Sequence, residues 1–278
     1  MRTVLITGAS SGIGLATAEY LVQKGFQVFG TTRSLEKRSA VVRAAQQRFG
    51  ESLQWVEMDV TQEDSVERAV RHVEAKAGNI DVLVCSAGAG IYGSIEETPM
   101  EQVFYQFDHN VFGTLRTLRA VLPGMRKRRS GCIVLISSMA GILAIPYQVH
   151  YSASKYAVEA LTEGLRQELR SFDIRVSAVR PGDIATEFND VTHLNLSKDS
   201  PYARWAQPCW KTIDQNMIAA PKPILVAKVI YRILKKKNPK AYYTAANFLT
   251  SLTPILTPWM SSRLKEKVVR MFYGIDFK

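Results

Sequence analysis

Cysteine is scarce in this chain. Cys85, Cys132 and Cys209 are the three in 278 residues, and no two stand at a metal-binding spacing. A disulfide framework and a zinc site are therefore not expected, and a reducing compartment suits the chain. The four histidines, His72, His109, His150 and His193, form no H-x-x-x-H pair, so metal catalysis has no ligand set. No run of about 20 apolar residues occurs, which argues against a membrane-spanning helix. The best candidate, 248–260, is interrupted by Pro254 and Pro258. No basic start followed by a long apolar segment precedes Val4-Leu5-Ile6, so no secretory leader is expected and a cytoplasmic location is. Acidic residues are nearly missing from the end: 221–278 holds 12 Lys and Arg against Glu266 and Asp276. Nearly all of the net charge of +11 therefore sits in the last fifth.

What is present is an ordinary globular composition, 46% hydrophobic and 22% charged, without repeats or a Gly-, Ser- or Pro-rich linker. One domain over 1–278 is the economical reading. Strand-like runs at 3–7, 27–31, 53–57, 82–86, 132–137 and 175–180 alternate with amphipathic stretches. That alternation predicts an α/β fold with a parallel sheet covered on both faces. Helices are expected over 13–24 and 65–77, and from Thr98, as N-cap, with Pro99 at the first helical position. Segment 183–222 has no clear period and reads as an irregular, lid-like stretch.

The first strand runs into Thr7-Gly8-Ala9-Ser10-Ser11-Gly12-Ile13-Gly14 and then a helix. Gly8 permits the tight turn, Gly12 lets backbone approach a pyrophosphate, and Gly14 lets helix and strand pack closely. The second strand ends Thr31-Thr32-Arg33, with Lys37 and Arg38 beyond. A carboxylate there would bind the ribose hydroxyls of NAD; Thr32 and Arg33 instead favour the 2′-phosphate of NADP(H) over NAD(H). Asp59, followed by Val60, ends the third strand, where it suits either an adenine amino group or a helix cap.

Tyr151 and Lys155 stand four apart, on one face of a helix. Tyr20 with Lys24 and Tyr231 with Lys235 share that spacing, so spacing alone decides nothing. Only Tyr151 follows a buried-looking strand ending in Ser137-Ser138 and precedes a strand ending in Pro181-Gly182.

Taken in order, Thr7–Gly14, Cys85-Ser86-Ala87-Gly88, Asn110, Ser138, Tyr151-x-x-x-Lys155 and Pro181-Gly182 with Thr186 resemble the short-chain dehydrogenase/reductases over about residues 1–190. Cys85-Ser86 departs from the family's Asn-Asn. The resemblance implies a seven-stranded Rossmann sheet of order 3-2-1-4-5-6-7 with a helical C-terminal extension. It implies hydride transfer between a nicotinamide and a carbonyl or carbinol carbon.

Tyr151 would be the general acid or base, Ser138 would hold the substrate oxygen, and Asn110 would anchor a proton-relaying water. Lys155 would lower the tyrosine pKa and hold the nicotinamide ribose. A fall from about 10 to near 7 is worth about 4 kcal/mol, which an ammonium ~4 Å away supplies at an effective dielectric of ~20. Gly8, Ser10, Ser11, Gly12, Ile13, Gly14, Thr32, Arg33, Asp59, Val60, Ser86, Ala87 and Gly88 would border the cofactor. So would Asn110, Tyr151, Lys155, Pro181, Gly182, Ile184 and Thr186, the last two at the nicotinamide amide.

The substrate side is expected to include Ser138, Ala140, Leu143, Tyr147, Tyr151 and Phe188, mostly apolar, with His150 or His193 as a second polar contact or as surface residues. At a weaker level the chain is similar to the 17-beta-hydroxysteroid dehydrogenase type 1 and retinol dehydrogenase group. That similarity implies a lipophilic ketone or alcohol of the steroid, retinoid or long-chain keto-lipid class, and a homodimer or homotetramer.

Helices are also expected over 223–237 and 263–273. The second carries Leu264, Val268, Met271 and Phe272 on one face and Arg263, Lys265, Lys267 and Arg270 on the other. With the apolar, Trp259-bearing stretch before it, 245–278 suits peripheral contact with an anionic membrane. It equally suits packing over the cleft or against another subunit. No nucleic-acid motif is present. Two rivals remain: a sugar-nucleotide epimerase or dehydratase, whose Gly-x-x-Gly-x-x-Gly loop is missing, and a non-catalytic NADP-binding sensor.

Overall fold

Thr3–Thr7 (β1) is buried at all five positions, as expected of a parallel strand covered on both faces. Its side chains alternate between two cores. Leu5 meets Phe29, Leu83 and Ile133 on one face; Val4 and Ile6 meet Val28, Val84 and Val134 on the other. The computed structural model describes residues 1–275, so the last three residues of the expected extension lie outside the described residues.

After β1 come α1 (Gly12–Gln23), β2 (Gln27–Thr32), α2 (Ser39–Phe49), β3 (Leu53–Glu57), α3 (Glu63–Ala77) and β4 (Val82–Cys85). The chain continues through β5 (Ile91–Tyr92), α4 (Met100–Phe107), a π-helical turn (Asp108–Phe112), α5 (Gly113–Arg128), β6 (Gly131–Ile136) and α6 (Val149–Glu168). Then follow β7 (Ile174–Pro181), β8 (His193–Leu194), α7 (Ala203–Ile218), α8 (Ile224–Lys235) and β9 (Tyr242–Ala245). The short α9 (Phe248–Ser251) and α10 (Thr253–Leu256) lead to α11 (Ser262–Phe272).

Seven strands pair in parallel in the order β3-β2-β1-β4-β6-β7-β9, while β5 and β8 form a separate ribbon. Counting the sheet strands alone, this is the expected 3-2-1-4-5-6-7. Helices α3, α5 and α6 cover one face, and α1 and α8 the other. Helix α8 buries Val226, Val229, Ile230 and Ile233, the stripe its period announces. Strands β2 and β4 flank β1, so the connections leaving their C-terminal ends diverge and open a crevice there. Among the described residues, no helix is long and apolar enough to cross a membrane.

Three local expectations are corrected. Pro99 is the N-cap of α4, with an extended ψ of 137°, and Thr98 instead donates its hydroxyl to Ser94 O at 2.6 Å. The helix expected from Pro99 onward is not uniform, because residues 108–112 form the π-turn. Segment 183–222 is not irregular throughout. It contains the 16-residue α7, which buries Ala206, Cys209 and Ile213 at helical spacing. Pro208 inside that helix hides it from a sequence reading, since it offers no N–H to the preceding turn.

Candidate active site

The crevice is a cleft of about 950 Å³, walled at one end by the β1–α1 loop. Gly8 takes a left-handed φ of +63°, and a Cβ there would lie 2.8 Å from Ala87 Cα. A Cβ on Gly14 would lie 2.2 Å from Gly8 O, so neither position accepts a side chain. Thr7 Oγ1 accepts hydrogen bonds from Ser86 N and Ala87 N, both at 3.0 Å, and locks this loop to the one after β4. The first turn of α1 has no side-chain cap and no acid, which leaves its N–H groups and dipole facing the cleft. This glycine cradle fits a dinucleotide pyrophosphate.

Ser10, Ser11, Gly12, Ile13 and Val60 line that end, as do Ser86, Ala87 and Gly88. Pro181, Gly182, Ile184 and Thr186 line the cleft as well, with Thr186 close against Gly12. Cys85, at the family departure, is buried, and burial pushes its thiol up to about 12. It is an inert filler.

Thr32 and Arg33 also line the cleft, with Lys37 and Arg38 beside them. Arg33 Nη1 donates to Tyr105 OH at 3.4 Å. Arg38 reaches Glu187 across the cleft at 3.9 Å, but both are well exposed, so the pair is worth little. Asp59 is not on the wall. Its Oδ1 accepts from Thr61 N at 2.9 Å and Thr61 Oγ1 at 2.8 Å, which makes it the cap of the turn before α3.

Ser138, Tyr151 and Lys155 meet where β6 and α6 converge. Ser138 Oγ accepts from Ala140 N at 3.1 Å and shares a hydrogen bond with the Tyr151 hydroxyl. Lys155 Nζ donates to Ile136 O at 3.0 Å and lies 5.6 Å from the Tyr151 ring centroid. Here the protein corrects the electrostatic expectation. Burial raises the Tyr151 pKa to about 12, with the Ser138 hydrogen bond opposing it. Burial lowers the Lys155 pKa to about 8, with the Glu159 charge opposing it. Desolvation, not the Lys155 charge, sets the direction of the Tyr151 shift. Tyr151 is thus held as a protonated phenol, the form a general acid requires.

Asn110 lies in the π-turn, 1% exposed, and is not on the cleft wall. Its Oδ1 accepts from Ala89 N at 2.8 Å, and its Nδ2 donates to Ala89 O at 3.1 Å and Ser154 Oγ at 2.9 Å. It ties the loop after β4 to α6.

Ala140, Leu143 and Phe188 line the substrate side, where the Phe188 and Tyr151 rings stand 5.6 Å apart. Tyr147 does not line it. A left-handed φ of +60° goes with a ring packed among Tyr92 and Tyr202, at 6.1 and 6.5 Å. His150 and His193 are also off the wall; His193 packs edge-on against Tyr105 at 5.5 Å.

The sequence reading missed a buried pair behind Lys155. Arg180 donates to Glu159 Oε2 from Nε at 3.1 Å and Nη2 at 2.6 Å, and Ser137 Oγ donates to Glu159 Oε1. The Tyr242 ring covers the guanidinium at 3.7 Å. Glu159 lies four residues beyond Lys155 on α6, the one signal that could have exposed it.

The family profile described as short chain dehydrogenase matches residues 2–196. The chain belongs to the short-chain dehydrogenase family. It is 35% identical over 276 residues to a 3-ketodihydrosphingosine reductase of Bacteroides thetaiotaomicron, covering 99% of this chain and 98% of that protein. It is 40% identical over 251 residues to retinol dehydrogenase 8 of Bos taurus, covering 86% and 79%. An alcohol dehydrogenase of Thermococcus sibiricus, solved with 5-hydroxy-NADP, superposes with a TM-score of 0.74 at 26% identity, covering 89% of this chain and 97% of that one. This short-chain dehydrogenase is therefore an oxidoreductase, related to the retinol and 17-beta-hydroxysteroid dehydrogenase group, with solved neighbours that bind NADP.

Proposed function

We propose that the chain is an NADP(H)-dependent carbonyl reductase, or the reverse alcohol dehydrogenase, for a lipophilic substrate of the steroid, retinoid or long-chain keto-lipid class. One observation carries the reading: Ser138, Tyr151 and Lys155 converge between a basic, glycine-cradled end and an apolar end of one cleft. The cofactor supplies the hydride. Tyr151 donates its phenolic proton to the carbonyl oxygen, Ser138 Oγ holds that oxygen, and the Lys155 ammonium offsets the phenolate left behind. Arg33, Lys37 and Arg38, with no carboxylate at the end of β2, support NADP(H) over NAD(H). Residues 183–222, with α7, act as the lid. The deciding assay follows nicotinamide absorbance with ketosteroids, retinal and long-chain ketones. Turnover with NADPH well above that with NADH is expected; binding of NADPH without turnover of any of them would instead favour a sensor.

The C-terminal extension carries an exposed apolar surface at the cleft mouth. Trp259 is 89% exposed and Phe248 80%, and Leu249 and Leu256 are exposed while also lining the cleft. On α11 only Val269 is buried, while Leu264, Val268, Met271 and Phe272 stay exposed beside Arg263 and Lys267. This surface suits an anionic membrane, from which a lipophilic substrate would enter directly. The full chain should sediment with phosphatidylserine vesicles at low salt, and high salt or Trp259→Ala should release it. Equal binding to zwitterionic vesicles would contradict this. Exposed Met100, Phe104, Phe112 and Tyr156 near α4 and α6 support a homodimer or homotetramer, which light scattering on the same samples reads.

A further inference from the structure

Phe188 reaches the cleft from the segment after β7, and hydrogen bonds fix the backbone that carries it. Its N–H donates to Thr186 Oγ1 at 3.3 Å, and its carbonyl accepts from Thr192 Oγ1 at 2.8 Å. Thr192 leads into β8, which pairs with β5. There His193 N donates to Gly90 O at 3.1 Å, and Asn195 N donates to Tyr92 O at 2.7 Å. The seat of the Phe188 ring is Gly90. A Cβ on Gly90 would lie 2.8 Å from both Cε1 and Cζ of that ring and 2.7 Å from Thr192 Oγ1. Only glycine lets the ring rest this close to the backbone.

The same ring packs on Tyr151. The two ring centroids stand 5.6 Å apart with the planes inclined at 55°, and both residues line the cleft. Tyr151 in turn shares a hydrogen bond with Ser138. Gly90 does not line the cleft, so it acts on the site only through the ring it supports.

A ketone carbon holds its oxygen and two carbon arms in one plane, and hydride arrives across that plane. Ser138 and Tyr151 take the oxygen. One apolar arm has room towards Ile213, Met217, Leu249 and Val269. The other arm is left beside Tyr151, where Phe188 stands and has no space to withdraw onto Gly90. A packed interior of this kind resists displacement. We propose that Phe188, backed by Gly90, walls a small-substituent pocket and decides which ketones the enzyme accepts. The preferred substrate then carries one long apolar arm and one short arm, and ketones with bulk on both sides of the carbonyl are refused. This rests on the carbonyl-reductase reading and narrows it by shape. Phe188 is the specificity-determining residue, and Gly90 is a positioning residue behind it.

The test uses the full-length protein with NADPH and two ketones that share one long alkyl chain, a methyl ketone and a phenyl ketone. The ratio of their kcat/KM values reads the pocket. Phe188→Ala should lower the methyl-to-phenyl ratio about 10- to 100-fold, chiefly by admitting the phenyl ketone. Gly90→Ala should raise the ratio, because the added methyl group pushes the ring off its seat and into the cleft. Adding Phe188→Ala to Gly90→Ala should lower the ratio as far as Phe188→Ala alone. Opposite shifts from two touching residues are not what a general loosening of the lid produces. Met217→Ala, at the apolar end, should leave the ratio where it is. In parallel, calorimetry on the NADP-loaded protein compares the methyl and phenyl carbinols of the same chain. Phenyl-carbinol binding that tightens in Phe188→Ala, with methyl-carbinol binding unmoved, supports the assignment even if neither ketone is reduced, the outcome that would sink the reductase reading instead. Equal changes for both carbinols, or an unmoved turnover ratio in Phe188→Ala, would overturn the Phe188 assignment and leave the reductase reading intact.

Discussion

Tyr151→Phe should lower kcat/KM for ketone reduction by about 10²- to 10⁴-fold, the usual worth of a positioned general acid. The substitution removes one oxygen and keeps the ring that packs against Phe188 at 5.6 Å. NADPH affinity should therefore be nearly unchanged, because the glycine cradle and the Arg33 end of the cleft are untouched. Rapid-mixing kinetics paired with a nucleotide titration separate the two quantities. Wild-type activity should also fall as pH rises through about 8, where Lys155 loses its proton. Its charged form, the one that offsets a developing phenolate, prevails below that value. Tyr151, raised to about 12, stays protonated over the same range. A flat profile from about pH 7 to about pH 10 would remove Lys155 from this role.

Arg180→Ala should cost about 3–5 kcal/mol of folding stability, because it strands the Glu159 carboxylate in the protein interior. The side chains are only 13% and 9% exposed, so solvent screening rescues little. Urea unfolding measures the loss directly. Pairing Arg180→Met with Glu159→Gln removes both charges and should recover most of it, since breaking a buried pair is worse than deleting it. The single variant has a catalytic signature too. Glu159 already pulls the Lys155 pKa upward against burial. Without the guanidinium that pull strengthens, and the alkaline limb of the pH profile should move to higher pH. A stable Arg180→Ala protein with an unmoved profile would show that the pair is isolated from the site.

Much of the site was legible because short-range chemistry writes it into contiguous residues. The turn from Thr7 to Gly14 announces itself, since Gly8 and Gly14 sit where any Cβ collides with backbone. Ser138, Tyr151 and Lys155 stand out by order along the chain, and Arg33 by the lack of a neighbouring acid. What went astray depends on long-range geometry. The sequence points Asp59 and Asn110 at the cofactor border, and in the fold their hydrogen bonds hold turns and loops together. The sequence points Tyr147 at the substrate wall, and in the fold it packs into an aromatic cluster. Pair spacing says nothing about desolvation, which is what moves the Tyr151 pKa upward. Helix α7 escaped because Pro208 masks a period that only the buried Ala206, Cys209 and Ile213 reveal.

By itself the sequence determined the α/β alternation, the sheet order through its family motifs, the glycine-rich loop, the grouping of Ser138, Tyr151 and Lys155 and the basic, amphipathic end. Each of these follows from local periodicity, backbone sterics or residues a few positions apart. Only the tertiary structure decided that Glu159 and Arg180, 21 positions apart, form one buried pair behind Lys155. It alone showed that α9 to α11 rim the cleft, with Leu249, Leu256 and Phe272 lining it while still exposed. Burial and charge pairing depend on which distant segments exclude water from a group, and no linear spacing encodes that.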